Sequence, residues 1–210
     1  MNQKETVRGL LEACGQSYAA QAGINLTDKP SALYRLLVLS VLLSTRIKAD
    51  IAVDAARELR KAGFGTARNM LEGSWQQRVD ALDRAHYRRY DEQTATALGD
   101  GARLLVTDYR GDLRKLRERA AREPSGIKKL LSRTPRLGPV GADIFCREAQ
   151  LVWPELRPYL DKKALDGAEK LGLPTQPQRL AKLVDDDRIA VLAAALVRVS
   201  LDPKLAAQVR

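Results

Sequence analysis

The sequence predicts an all-helical protein, and three observations carry that expectation. Apolar residues recur at helical spacing along almost the whole chain, β-branched alternating runs are nearly absent, and Gly and Pro interrupt the pattern at intervals that suit helices of ordinary length. No sheet is expected. The 210 residues are enough to bury a core without a staple, as one large domain or as two lobes.

Taken in order, Leu10, Leu11 and Cys14 outline a first amphipathic helix. Lys29-Pro30-Ser31 punctuates the chain, with Ser31 as the expected cap of an apolar helix from Leu33 to Ser44. Ile51, Ala55, Ala56 and Leu59 mark the next helix, which Gly63 stops. Met70 and Leu71, then Val79 and Leu82, predict two short helices divided by Gly73-Ser74. Leu98 to Val106 reads as helical, weakened in its middle by Gly99 and Gly101. A charged helix is expected from Gly111-Asp112 to about Glu123-Pro124, with Ser125 capping the next one, Ile127 to Arg133. Thr134 to Pro139 cannot continue a helix, and a new one is expected at about Val140. Trp153-Pro154 and Arg157-Pro158 are boundaries, followed by Lys162 to Leu171, the Gly172-Leu173-Pro174 stop, and closing helices from Gln178 and Asp187. No repeat of 20–50 residues and no low-complexity linker is present.

Lys and Arg number 36 against 26 Asp and Glu, a formal net charge of +10, which favours an anionic partner. Nucleic acid is favoured over a membrane, because the most apolar run, Leu36 to Leu43, is far shorter than the ~20 residues that cross a bilayer. The N-terminus lacks the apolar stretch of a secretory signal, so cytosolic residence near the nucleoid is expected. Cys14 and Cys146 are too few for a disulfide framework or a four-thiolate cluster and read as small core residues. His86, the lone histidine, has no metal partner in the sequence pattern. Trp75 and Trp153 read as core.

The most informative stretch is Thr134-Pro135-Arg136-Leu137-Gly138-Pro139-Val140-Gly141-Ala142, a helix–hairpin–helix corner. Gly138 lets a backbone approach closely, and the amides that open the next helix present the positive end of its dipole, which suits a phosphate. Around it, Arg103 to Arg136 holds eleven basic and four acidic residues. The alternative is an ordinary corner with a solvated basic face. A second surface is Arg84-Ala85-His86-Tyr87-Arg88-Arg89-Tyr90, where Tyr87 could stack or wedge and Arg88 and Arg89 could hold phosphates; here the alternative is a loop whose tyrosines pack on the core.

The hairpin resembles the LPGVGxxTA hairpin of the endonuclease III-like helix-hairpin-helix (HhH-GPD) DNA glycosylases. Leu160-Asp161 followed by Leu171-Gly172-Leu173 resembles their VD…RLGL segment, and Leu42-Leu43-Ser44-Thr45-Arg46 their LLSxQ helix end. The resemblance covers about Leu33 to Pro174. It implies a six-helix lobe at 30–153 with the helix-hairpin-helix at 127–149, and a second lobe from 1–29 with 154–210. It also implies duplex, damaged or branched DNA as partner, with a monomer expected. Asp161 matches the family's catalytic aspartate, which stabilises charge on the sugar or activates water. A lone Asp ahead of a helix is also an N-cap, and the two roles are compatible.

Departures from the pattern bear on chemistry. Val140 stands where bifunctional members carry their Schiff-base lysine, which excludes lyase chemistry through that position. Lys162 and Lys163 are expected to hold phosphate or sit in solvent. Arg136 replaces the hairpin's first glycine and Arg46 the glutamine that fills the gap of a flipped base. The family's four-cysteine cluster is absent, so no iron–sulfur cofactor is expected, and a monovalent cation in the hairpin is left open. The implied DNA contacts are Arg46, Tyr87, Arg88, Arg89, Arg136, Gly138, Val140, Gly141, Lys162 and Lys163. Two readings follow: a repair protein that binds DNA with little sequence preference and weak or no excision, or a monofunctional N-glycosylase using Asp161. A helical protein that contacts RNA or ribosomes is a third, without the aromatic sheet modules common for RNA.

Overall fold

Local capping chemistry explains several of the helix starts in the computed structural model, which describes residues 2–209 and every side chain among them except that of Pro203. Helix α1 (Gln3–Cys14) starts in a capping box between Asn2 and Glu5. A single turn, α2 (Tyr18–Gln21), precedes α3 (Pro30–Leu43) and α4 (Ala49–Lys61). Thr66 caps α5 (Ala67–Glu72), and Ser74 with Gln77 closes a capping box on α6 (Trp75–Arg84). Then come α7 (Asp91–Tyr109), α8 (Leu113–Arg119, capped by Asp112), α9 (Pro124–Leu131) and α10 (Gly138–Ala149). The chain closes with α11 (Lys162–Lys170), α12 (Pro177–Ala181), α13 (Ile189–Leu201) and α14 (Pro203–Val209). No strand occurs among the described residues, so the fold is all-α.

Several expectations need correction. Neither Ser31 nor Ser125 caps a helix, because Pro30 and Pro124 take the first helical position and push the cap back to Lys29 and Glu123. Helix α7 runs well beyond Leu98 to Val106, and its two glycines are packing positions. A Cβ at Gly99 would lie 2.9 Å from the Arg78 guanidinium, and one at Gly101 would lie 3.2 Å from Thr134 Cγ2. Helix α8 ends early, since Ala121 and Arg122 take left-handed conformations (φ 52° and 59°). Trp75, expected in the core, is 41% exposed at the first position of α6, with Nε1 donating to Thr96 Oγ1. Cys14 is only half-buried, whereas Cys146 and Trp153 are fully buried.

The described chain separates into two compact units, Ala19–Phe145 and Met1–Tyr18 with Cys146–Arg210. In the first unit α3 is the central helix, with Leu33, Leu36, Leu39 and Leu42 fully buried. Each such leucine contributes about 1.5–3 kcal/mol by leaving water. Arg78 pins α5, α6 and α7 together: its buried guanidinium donates to the carbonyls of Met70, Gly73 and Ala95 at 2.8–2.9 Å. Burial holds its pKa below the usual value, with Tyr34 and Asp100 opposing. The segment 19–29 belongs with this unit through Arg57 and Arg60, which donate to the carbonyls of Gln21 and Gly23.

In the other unit α13 is apolar on nearly every side and buried, as a central helix must be. Helix α11 crosses it at Gly167, where a Cβ would fall 1.9 Å from Leu196 O; Ala164 and Ala168 flank that contact. No helix among the described residues is long and apolar enough to cross a membrane.

Candidate nucleic-acid interface

The hairpin between α9 and α10 is built against the end of α3. Ser44 Oγ donates to Arg136 O at 3.2 Å, and Gly141 packs beneath it, where a Cβ would meet Leu137 at 2.6 Å and Ser44 Cβ at 3.3 Å. Gly141 is therefore a buried packing residue, and its N–H is already given to Leu137 O at 2.9 Å. It is not an available DNA contact, which corrects its sequence assignment. Pro139 has no N–H, so Gly138 and Val140 supply the first-turn amides open to an anion. Gly138 has φ +57° with nothing within 4 Å of a built Cβ, so its conformation requires glycine while the space above it is open. Val140 is 61% exposed. The hairpin carbonyls of Thr134, Arg136 and Leu137 accept from Leu137 N, Ser44 Oγ and Gly141 N, so a monovalent cation would have to use their second lone pairs.

Arg136 also adopts a left-handed backbone (φ 61°), the conformation for which glycine is the default. Its Nη1 donates to Gln93 Oε1 at 2.7 Å, and its guanidinium lies 5.6 Å from the Tyr90 ring centroid. Arg89 approaches the same ring at 5.3 Å. The loop after α6 thus meets the hairpin through Tyr90, a residue the sequence reading passed over in favour of Tyr87. Tyr87 is wholly buried, with its hydroxyl donating to Thr45 Oγ1 at 2.8 Å, and cannot stack on a base without leaving the core. Its burial ties the loop to the end of α3, where Arg46 is exposed. The structure therefore gathers Arg46, Arg89, Tyr90 and Arg136 on one unit. Arg88 is exposed but paired with Asp83 at 2.8 Å.

In the other unit Asp161 sits ahead of α11. Its Oδ1 accepts from Ala164 N at 3.4 Å, which makes it the N-cap, and its Oδ2 accepts from Arg147 Nη1 at 2.9 Å. The pair is buried, at 3% side-chain exposure for Arg147 and 9% for Asp161. Arg147 Nε has no partner, so the carboxylate is the charge that compensates this guanidinium. Gln150 fixes the approach to the pair: its amide donates to the carbonyls of Arg147 and Tyr159 and accepts from Tyr159 N, at 2.8–2.9 Å. Arg147 was not legible as a partner, since nothing in the neighbouring residues of α10 points to a carboxylate fourteen positions on. Lys162 pairs with Asp166 at 3.2 Å, and Lys163 is exposed. Among the described residues no group of three or more His, Cys, Asp or Glu is placed to hold a metal ion.

No protein-family model matches the sequence, and no curated protein sequence does. The fold resembles that of a solved structure, a trapped endonuclease III–DNA covalent intermediate in an estranged-adenine complex. The TM-score is 0.55 and the identity 10%, over 94% of this chain and 85% of that one. The likeness establishes the fold: all-helical, of the endonuclease III type.

Proposed function

We propose that this protein binds duplex or distorted DNA through the phosphate backbone, with little sequence preference and with weak or no base excision, in the service of DNA repair. The observation that carries this reading is a contrast between two sites. The hairpin keeps open amides at Gly138 and Val140 beside the exposed cations Arg46, Arg89 and Arg136. Asp161, the candidate catalyst, has instead committed both carboxylate oxygens, one to a buried guanidinium and one to a helix cap. A carboxylate whose charge already balances a buried arginine is a weak stabiliser for positive charge on a sugar. The endonuclease III-type fold and the basic composition agree with a DNA partner.

With Arg46, Arg89, Arg136 and Lys129, the last exposed on α9 where that helix enters the hairpin, each neutralising one phosphate, log affinity falls against log salt with a slope of about −3.6. Duplex titrations across a salt series measure it, and a flat dependence would overturn the reading. A panel of damaged duplexes tests excision. Release of a defined base, lost in Asp161→Asn with binding retained, would replace this reading with a monofunctional N-glycosylase. Borohydride trapping through Lys162 or Lys163 would contradict both.

A further inference from the structure

The basic block Arg103 to Arg136 does not fold into one surface. Arg117 pairs with Asp28 at 3.2 Å, which places α8 at the N-terminal end of α3, whereas the hairpin sits on Ser44 at the C-terminal end. Fourteen helical residues separate these ends by about 21 Å. Two cations of the block are spent locally: Lys128 pairs with Asp143 at 2.5 Å, and Arg133 lies 3.9 Å from Asp108.

At the α8 end, Arg119 lies over the Tyr109 ring at 5.8 Å, which brings the turn after α7 beside the turn after α8. Arg110, Arg119 and Arg122 are exposed there and Lys115 is half-buried. Asp112 and Asp28 are taken by Arg114 and Arg117, so four cations face the exposed acids Glu118 and Glu123. A polar cleft of about 400 Å³ opens beside them, lined by Lys115, Arg117 and Arg122 together with the acids Asp28, Asp112 and Glu118.

Backbone conformation gives an independent sign. The described non-glycine residues with positive φ are His86, Arg110, Ala121, Arg122 and Arg136. Three are exposed arginines, at φ 56°, 59° and 61°, standing where glycine would be unstrained. One belongs to the hairpin; Arg110 and Arg122 belong to the α8 end. The chain holds a guanidinium against backbone preference at both ends of α3.

We propose that Arg110, Lys115, Arg119 and Arg122 form a second site for the DNA backbone, so that one protein molecule holds two duplex segments at once. This rests on the reading that the hairpin face binds DNA, and the test separates the two. A short duplex is immobilised, the protein is loaded sparsely, and recruitment of a second, labelled duplex is measured, with sedimentation reporting the number of protein molecules per bridged pair. Wild type recruits the second duplex with one protein per pair. In the triple variant Arg110→Gly, Arg119→Gln, Arg122→Gly, the first duplex still captures protein. Recruitment of the second falls on the order of tenfold or more, and its salt slope falls by about 2.7. Glycine suits the backbone at two of these positions, so the unfolding midpoint is unchanged or raised. Capture without recruitment, equal recruitment by the variant, or a need for two proteins per bridge would overturn the second site alone. Failure of the first duplex to capture protein would remove the DNA-binding reading itself.

Discussion

Replacing Asp161 by alanine strands a guanidinium that has almost no water around it. Arg147 is 3% exposed, its Nε has no partner, and Asp161 Oδ2 at 2.9 Å is its compensating charge. Breaking such a pair from one side costs about 3–5 kcal/mol, and loss of the cap on Ala164 N adds about 1 kcal/mol. At about 2–4 °C per kcal/mol for a chain of this size, a loss of about 4 kcal/mol lowers Tm by about 8–16 °C. Asp161→Asn keeps an oxygen for the cap and an acceptor for Arg147 but loses the charge, so its cost falls between wild type and alanine. The double variant Arg147→Met, Asp161→Ser removes both charges and keeps a capping oxygen, and should recover most of the loss. Urea unfolding of the four proteins measures these differences. A cost below about 1 kcal/mol for Asp161→Ala, the range of an exposed pair, would refute the claim that the carboxylate is committed to structure.

Three further outcomes are expected. Gly138→Val should retain helical circular dichroism, lose about 1–2 kcal/mol to its left-handed backbone, and weaken duplex binding by covering the open approach to the first-turn amides; unchanged affinity would make the hairpin a mere corner. Gly167→Ala should destabilise its unit by about 1–3 kcal/mol or more in thermal unfolding, because its Cβ would meet Leu196 O at 1.9 Å and α11 must move off α13. Burial tends to raise the Asp112 carboxyl, but hydrogen bonds from the Arg114 side chain and backbone outweigh it and hold the pKa below the ordinary carboxylate value. Its stabilisation is therefore full above the unfolded pKa of about 3.9 and is lost as pH falls through the lower folded value. Asp112→Asn should remove that part of the acid limb of an unfolding-versus-pH curve.

The amino-acid sequence by itself determined the helical class and most of the boundaries, because these depend on interactions within a few residues. Periodic leucines make an amphipathic or buried face, Pro30 and Pro124 can open helices but not continue them, and Ser74-Trp75-Gln76-Gln77 carries its capping box in four letters. The hairpin was legible for the same reason, since Gly138 gives ready access to a left-handed backbone and Pro139 fixes its own φ and cannot continue the preceding helix. What only the tertiary structure decided was the partner of each polar group. Arg147 and Asp161 are fourteen residues apart, Ser44 and Arg136 ninety-two, and Arg117 and Asp28 eighty-nine. No local pattern could tell that Tyr87 is buried and Tyr90 is set beneath two arginines, or that one run of basic residues divides between the two ends of α3. Backbone preference is a short-range property, whereas the cost or use of a charge depends on what the rest of the chain brings within about 4 Å of it.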